Sequence, residues 1–541
     1  MTATTEANLF SCLRRFAEEA PGRRALIHRG KTLAYGEFRI RVERRAAELR
    51  RRGIGKGDRI VIFVPMGIDL YEILLAVFAV GAVAVFLDAW ADPKRLDYAA
   101  QLAEAKAYIA VPKAFLLLLR SRALRRIPVR LLPGFGRRRA CGGFVPAACS
   151  PDDPALITFT TGSTGVPKAA LRSCGFLWAQ HEALSASLDV REGDVDLATL
   201  PIFALNNIAC GVTTLIPDFN PAHPADIDPA RIAAEARRAG VTTTAGSPAF
   251  YRRLAEAARE GNPIPTLRAL HVGGAAVFPE FAAELSAAFR GTRVIAVYGS
   301  TEVEPIASIP CEELASADVA LGIPAGKVSP FLDLAIIRLD AKLEHEMTDE
   351  AWRAAQSGKG EAGEICVAGD HVLTTYYRNP EAVRTNKIRV GGRIYHRTGD
   401  AGRMVDGGLY LLGRASRVFR TAGGAWCYPA LVEHELAGLS SSTAGTVVRA
   451  SGVDPKFPRG LDEQLPYMKK SKKWKRVKKP KAGDIIYQLY KGGGGHISIK
   501  VKKGFVYNAH YYGKTYPVIQ KYADQVKPRS KCKVSLIFRP V

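Results

Sequence analysis

No two of the nine cysteines, at positions 12, 141, 149, 174, 210, 311, 366, 427 and 532, are spaced as Cys-x-x-Cys, and none keeps a metal-binding spacing with histidine. That argues against a zinc ribbon and against a disulfide-framed mini-protein. An odd, scattered set of this kind reads as reduced thiols, most of them small buried hydrophobes. Long hydrophobic runs are missing too. The most apolar stretch, Ile73 to Leu87, covers about 15 residues against the ~20 that a bilayer requires, and Gly81 divides it. A buried helix up to Val80 and a buried strand Ala82–Leu87 are expected instead. The first residues lack the basic start and apolar core of a secretory signal. Together these absences predict a cytoplasmic protein with no transmembrane segment.

Acidic charge is scarce at one end of the chain, and lysine at the other. From Lys456 onward there are 22 Lys and Arg against 4 Asp and Glu, which supplies +18 of the total formal charge of +25. The first 455 residues carry only +7, and just ten lysines. Arginine dominates before the break and lysine after it. The 541 residues therefore read as two compositionally different proteins joined near residue 455, and a natural fusion and a chimeric join both account for the shift. Hydrophobic residues at 47% and charged residues at 24% are ordinary for globular chains, which excludes a disordered or collagen-like polymer.

Periodicity predicts helices around a short hairpin over 8–52, with the turn at Arg29-Gly30-Lys31. It then predicts strands at Arg59–Val64 and Ala107–Val111 separated by helices. The alternation resumes after 154, with strands at Leu156–Phe159, Val241–Thr244, Leu267–Val272 and Arg293–Tyr298. Helices are predicted at Gly175–Leu188, Arg231–Ala239, Pro248–Glu260 and Pro279–Phe289. Such alternation implies parallel sheets covered by helices. Between about 320 and 412 the predicted strands are short and the turns dense, so an antiparallel or barrel-like unit is expected. The expected fold is α/β: a large body of two helix-covered sheets plus a small β-rich subdomain over 1–412, the start of a truncated α+β lid over 413–455, and a small basic β-rich tail module over 456–541.

The most informative string is Phe159-Thr160-Thr161-Gly162-Ser163-Thr164-Gly165-Val166-Pro167-Lys168, read as following a strand and preceding a helix. Gly162 and Gly165 let the backbone approach an anion, Thr160, Thr161, Ser163 and Thr164 offer hydroxyl donors, and Lys168 adds positive charge. The P-loop pattern Gly-x-x-x-x-Gly-Lys-Ser/Thr is absent, which excludes that class of nucleotide site.

This loop resembles the signature of the adenylate-forming superfamily, which includes acyl-CoA synthetases, luciferases and nonribosomal adenylation domains. Further motifs of that family follow in order over about residues 8–452. Tyr298-Gly299-Ser300-Thr301-Glu302 is similar to the motif whose Thr touches the adenylate phosphate and whose Glu holds Mg²⁺. Gly273-Gly274-Ala275 resembles the segment lying along adenine. Thr398-Gly399-Asp400 resembles the motif whose Asp binds the ribose hydroxyls, and Gly413-Arg414 the one whose Arg reaches ribose and phosphate. The resemblance implies ATP and Mg²⁺, with Lys168, Thr301 and Glu302 as catalytic residues and Glu302 as the metal ligand. These roles suit the chemistry, because carboxylate attack on the α-phosphate needs neutralised charge more than covalent help.

Leu200-Pro201-Ile202-Phe203-Ala204-Leu205, Gly246-Ser247-Pro248-Ala249, Pro112-Lys113-Ala114 and Tyr395-His396-Arg397-Thr398-Gly399-Asp400 are similar to the olefin-pathway β-lactone synthetases. The resemblance implies a long-chain 3-hydroxy fatty acid as substrate, its own hydroxyl closing the lactone and expelling AMP. Many acyl-CoA synthetases carry His where this chain has Ala204, so fatty acyl-CoA ligation, with CoA as cofactor, is the second reading. Phe203, Ala204, Leu205, Ile208 and Phe250 are the candidate acyl-pocket residues. The pattern breaks after residue 452: the hinge position holds Ser416, and no Pro-x-Thr-x-x-Gly-Lys string supplies the family's late lysine, for which Gly513-Lys514 is the nearest substitute.

In the tail, Gly483-Asp484 and Gly495-His496 resemble the later half of NlpC/P60 and CHAP cell-wall peptidase domains, with Asn508 or His510 beside His496. Cys427 and Cys532 are the available thiols, neither in that family's expected place. A basic β-rich module without catalysis is the alternative, and the run Lys469–Lys481 suits a polyanion partner. A reading of another class remains: a nucleotide-binding fusion impaired in catalysis, with the tail as its working part.

Overall fold

A computed structural model describes residues 8–87, 93–136, 143–161, 167–221, 223–420 and 426–428, and, in the remainder, six strands between 474 and 540. The chain divides into two compact units, 1–411 and 412–541.

The first unit holds the strands β1 (Arg24–His28), β2 (Lys31–Ala34), β3 (Arg59–Phe63), β4 (Val83–Phe86), β5 (Ala107–Ala110), β6 (Val129–Leu131) and β7 (Pro154–Thr161). It continues with β8 (Pro167–Ser173), β9 (Val195–Ala198), β10 (Thr213–Ile216), β11 (Thr243–Gly246), β12 (Ala269–Val272), β13 (Arg293–Ser300) and β14 (Val303–Pro310). The remaining strands are β15 (Ile323–Val328), β16 (Asp333–Ile337), β17 (Glu346–Met347), β18 (Gly363–Ala368), β19 (Lys387–Val390), β20 (Arg393–Val405) and β21 (Gly408–Arg414), whose end passes into the second unit.

One sheet has the order β6-β5-β3-β4-β7-β8, parallel except for the antiparallel β7–β8 pair. A second begins β2-β1-β10-β9-β11-β12-β13, parallel from β1 onward. It continues through β14, β15, β21, β20, β18 and β16. The β13–β14, β14–β15, β15–β21 and β18–β20 pairs in that extension are antiparallel. The fold is thus α/β with two sheets and an antiparallel extension, and the helices form where the 3.6-residue pattern places them. The apolar run around Gly81 becomes the helix Ile68–Ala79 and the buried strand β4, because Gly81 turns at φ +71° between them. Among the described residues no helix is long and apolar enough to cross a membrane.

Two expectations are corrected. The phosphate-type loop does not run directly into a helix. It joins β7 to β8 as a hairpin, with Thr160 opposite Lys168, and the helix Cys174–Leu188 starts only after β8. The thiols are not all reduced, since Cys149 and Cys174 form a disulfide where the chain entering β7 passes the start of that helix.

In the second unit, Ala415–Arg417 is one short 3₁₀ turn containing Ser416, and Phe419–Arg420 pairs with Trp426–Cys427. Gly483-Asp484, His510 and Gly513-Lys514 lie outside the described residues. The tail strands form one antiparallel sheet in which Ile485–Tyr490 lies between Gly495–Lys502 and Cys532–Pro540. His496 stands opposite Gln488 and Cys532 opposite Tyr490, so a whole strand separates them.

Candidate active site

The carboxyl ends of parallel strands carry the candidate residues, the usual place for a ligand in an open α/β sheet. β7 ends in the loop whose residues Gly162, Ser163, Thr164 and Gly165 lie outside the described residues; Thr160 and Thr161 are placed only as strand backbone. β12 ends at Gly273. β13 ends at Ser300 and reverses through Thr301 and Glu302 into β14, with Ser300 paired to Val303. The reversal is tight at Gly299, where a Cβ would meet both the Glu304 side chain and the Val303 carbonyl at 3.2 Å.

The turn is held from several sides. Glu302 donates its N–H to Ser300 Oγ at 3.3 Å. Its carboxylate Oε1 accepts from Tyr376 Oη at 3.1 Å, and its backbone oxygen accepts from Leu373 N at 2.8 Å. Arg172, buried on β8, donates to the Thr301 carbonyl and to Thr158 Oγ1, each at 2.7 Å. Burial lowers its affinity for the proton, and Glu302 and Glu304 restore part of it. Thr301 itself is exposed.

Two ammonium groups flank the ring of Tyr376. Lys168 Nζ lies 5.4 Å from the ring centroid and donates to Asn386 Oδ1 at 3.2 Å. Lys387 Nζ lies 5.1 Å from the centroid and donates to the Leu373 carbonyl. Burial lowers the Lys168 pKa, opposed by the Glu302 charge. Lys387 is fully buried, and desolvation first, then repulsion from Lys168, brings it down to about 7 despite Glu302.

Asp400 and Tyr298 are brought together: Tyr298 Oη donates to Asp400 Oδ2 at 2.8 Å. Gly399, at φ +73°, supplies the left-handed residue that turns the Asp400 backbone toward Thr398 Oγ1, to which its N–H donates at 3.1 Å. Thr398 Oγ1 in turn donates to the Ile365 carbonyl at 2.9 Å. Gly273 donates to the Gly246 carbonyl, and a Cβ on it would stand 2.8 Å from the Val297 carbonyl oxygen, so the chain passes closer there than any side chain allows. Gly274 and Ala275 are exposed just beyond. Arg414 belongs to the second unit and is exposed at the start of the 3₁₀ turn.

A cleft opens beside Gly273 and Gly274, walled by Leu184, Leu188, Leu200, Phe203 and Val297. Of the candidate acyl-pocket residues, Phe203 lines it. Ala204, Leu205, Ile208 and Phe250 are buried in packing instead, Phe250 against Phe219 and Tyr251 with ring centroids 5.4 and 5.5 Å away.

Three polar residues, Ser187, His271 and Glu304, interrupt the apolar wall, and none was evident from sequence. His271 shares the strand face of Gly273; it is 3% exposed, and its Nε2 has no hydrogen-bond partner among the described residues. Burial pushes its pKa down to about 4. Glu304 is half-buried, facing the cleft but otherwise enclosed, and desolvation pushes its carboxyl up to about 7 against the pull of Arg172. Sequence reasoning also missed Arg172, Tyr376, Asn386 and Lys387.

Among the described residues no three His, Cys, Asp or Glu side chains cluster as a protein-built metal cage. A hard divalent cation held mostly by phosphate oxygens needs only one carboxylate, and Glu302 is placed to offer it.

The family model for AMP-binding enzymes matches residues 13–377. The chain is 34% identical over 417 residues to the olefin beta-lactone synthetase of Stenotrophomonas maltophilia, covering 73% of this chain and 74% of that protein. It is 33% identical over 458 residues to the olefin beta-lactone synthetase of Xanthomonas campestris, with coverage of 78% and 81%. Among solved structures, a Mycobacterium tuberculosis fatty acyl CoA synthetase has a similar fold, with a TM-score of 0.65 at 21% identity over 80% of this chain and 84% of that one.

Proposed function

The chain belongs to the AMP-binding enzyme family, whose members use ATP, and on that premise we propose that it converts a long-chain 3-hydroxy fatty acid to a β-lactone through an acyl-adenylate. The carboxylate oxygen attacks the α-phosphorus of ATP and pyrophosphate leaves. The substrate's 3-hydroxyl then attacks the acyl carbon, loses its proton, closes the four-membered ring and expels AMP. Proximity supplies this second nucleophile, so no thiol site is needed.

In this reading Gly162 to Gly165, with Thr160, Thr161 and Lys168, hold the phosphates. Thr301 contacts the α-phosphate, and Glu302 holds Mg²⁺, which would offset charge on the phosphates. Tyr298 orients Asp400 toward the ribose, Gly273 to Ala275 lie along the adenine, and Arg414 is the lid's candidate nucleotide-binding residue by its motif. Residues 1–412 form the adenylating body, 413–455 the start of the lid and 456–541 a separate basic module.

The observation that carries the substrate assignment is the polar pair in the cleft. A plain acyl chain needs no polar partner, whereas His271 and Glu304, together with Ser187, line a wall whose other side chains are apolar, and His271 Nε2 has no hydrogen-bond partner among the described residues. At neutral pH His271 is uncharged, so it can accept a hydroxyl proton or donate to the hydroxyl oxygen without burying a charge. The two relatives named as olefin beta-lactone synthetases support the lactone product.

The test is carboxylate-dependent ATP–pyrophosphate exchange on the full chain, with 3-hydroxy and plain fatty acids in parallel and the products identified. Exchange favouring the 3-hydroxy acid, with lactone formed without CoA, is expected. Equal exchange with plain acids and a product that appears only when CoA is added would overturn the reading.

A further inference from the structure

We propose that the crossover between β5 and β6 is a docking face for an anionic lipid bilayer. Between Glu104 and Asp152 the sequence contains no acidic residue and ten Lys or Arg. Within the crossover, Lys113, Arg120, Arg122, Arg125 and Arg126 are all exposed, as is Arg130 on β6. The nearby acid on the preceding helix (Pro93–Ala103), Asp97, is already engaged, accepting from Ser121 Oγ at 2.7 Å and from the Ala123 N–H at 3.0 Å, beside Arg122.

Charge alone would describe any polyanion site. The apolar residues narrow it. Leu116 is 63% exposed, Leu119 75% and Leu132 53%, three of the nine exposed large hydrophobics among the described residues. The leucine run explains how. Phe115, Leu117 and Leu118 pack toward the core formed with β3 and β5, so Leu116 and Leu119, one helical turn apart, are left facing outward. β5 and β6 are parallel, with Ile109 opposite Leu131, so Leu132 emerges at the same carboxyl edge from which Pro112 leads into the leucine run.

Leucines in solvent beside uncompensated arginines gain nothing from a nucleic-acid backbone, which offers no hydrocarbon. An anionic membrane offers both, with headgroup charge for the arginines and acyl boundary for the leucines. The proposal does not depend on which acid the enzyme activates.

The experiment is vesicle flotation of the full chain on phosphatidylcholine alone and on phosphatidylcholine with phosphatidylglycerol. Two variants accompany the wild type: Leu116→Ser/Leu119→Ser, and Arg120→Glu/Arg125→Glu/Arg126→Glu. The basic tail can attract anionic vesicles by charge, but the leucine variant keeps every charge and therefore isolates the proposed face. Binding of the wild type to the anionic vesicles is expected, weakened about tenfold or more in each variant, with the thermal midpoint unchanged. The proposal is overturned if the wild type does not float, or if the leucine variant floats as the wild type does. It is also overturned if the wild type binds an RNA or DNA duplex through these arginines while the leucine variant binds it undiminished.

Discussion

Lys387 gives the sharpest physical prediction. Its side chain is wholly buried, and desolvation brings its pKa from the ordinary 10.5 to about 7. Folding therefore expels a proton at any pH between those values, and the unfolded chain binds more protons there. Stability must rise with pH across that window. Below pH 7 lysine is charged in both states, and the cost of burying it stands near its full value. Writing the cost as RT ln[(1 + 10^(10.5−pH))/(1 + 10^(7−pH))] from the two values gives about 4 kcal/mol at pH 7 and about 2 kcal/mol at pH 9. Lys387→Met fills similar volume and removes the titration, at the loss of one hydrogen bond to the Leu373 carbonyl. Urea unfolding of both proteins from pH 6 to pH 9 checks this, because the difference between them cancels groups whose titration the substitution leaves unchanged. Between pH 7 and pH 9 the wild type is expected to gain about 2 kcal/mol on the variant. Two stability curves running parallel across that interval would show that Lys387 is not buried against its charge, and the reasoning would fall.

Two further predictions concern the site. Tyr298→Phe removes the hydroxyl that holds Asp400 and leaves the ring packed, so KM for ATP should rise about three- to tenfold, the worth of one hydrogen bond, with a much smaller change in kcat; steady-state kinetics with ATP varied reads this directly, and an unchanged KM refutes it. Glu304→Leu makes the cleft wall apolar at that point and should reduce the preference for a 3-hydroxy acid over the plain acid by about tenfold; competition between the two acids in the exchange assay measures it, and an unchanged ratio would remove Glu304 from the recognition of the hydroxyl.

The elements that announce themselves locally were legible in the sequence. The Ile68–Ala79 helix, the buried strands and the hairpin around Gly30 follow from periodicity and turn residues. Tyr298 to Glu302 and Thr398 to Asp400 stood out as contiguous strings. What could not be read is what contacts across the fold decide. Pro167-Lys168-Ala169-Ala170 has the composition of a helix start, with Pro at the first position and Ala after it. It forms a strand because β7 presents an edge and pairs from Thr161–Pro167 back to Pro154–Ser173, and tertiary pairing overrides local propensity. The Tyr298–Asp400 hydrogen bond spans 102 residues, and nothing at either end specifies it. Arg172 and Lys387 carried a faint signal. Each is a charged residue with an apolar neighbour in its strand, and Lys387 is one of only ten lysines before residue 456, but a charge in a sequence does not say what it will be buried against.

The buried cluster does more than shift proton affinities. The β7–β8 hairpin belongs to one sheet and the Thr301-Glu302 turn to the other, so two independently built sheets must deliver their residues to one place. The segment from Leu373 to Asn386, outside the named strands of either sheet, fastens both. Leu373 N and Tyr376 Oη hold Glu302, while Tyr377 N donates to the Ala169 carbonyl at 2.8 Å and Asn386 accepts from Lys168. Arg172 closes the loop by joining β8 to the Thr301 carbonyl directly. A neutral clasp of backbone bonds would have served for position alone. Placing Lys168, Arg172 and Lys387 around the Glu302 carboxylate also surrounds the turn with positive charge that burial keeps from water. This is an environment in which phosphate oxygens gain more from each cation than they would in solvent. In the proposed reading, the instability of a buried lysine is the local cost of a site that receives the phosphates' negative charge.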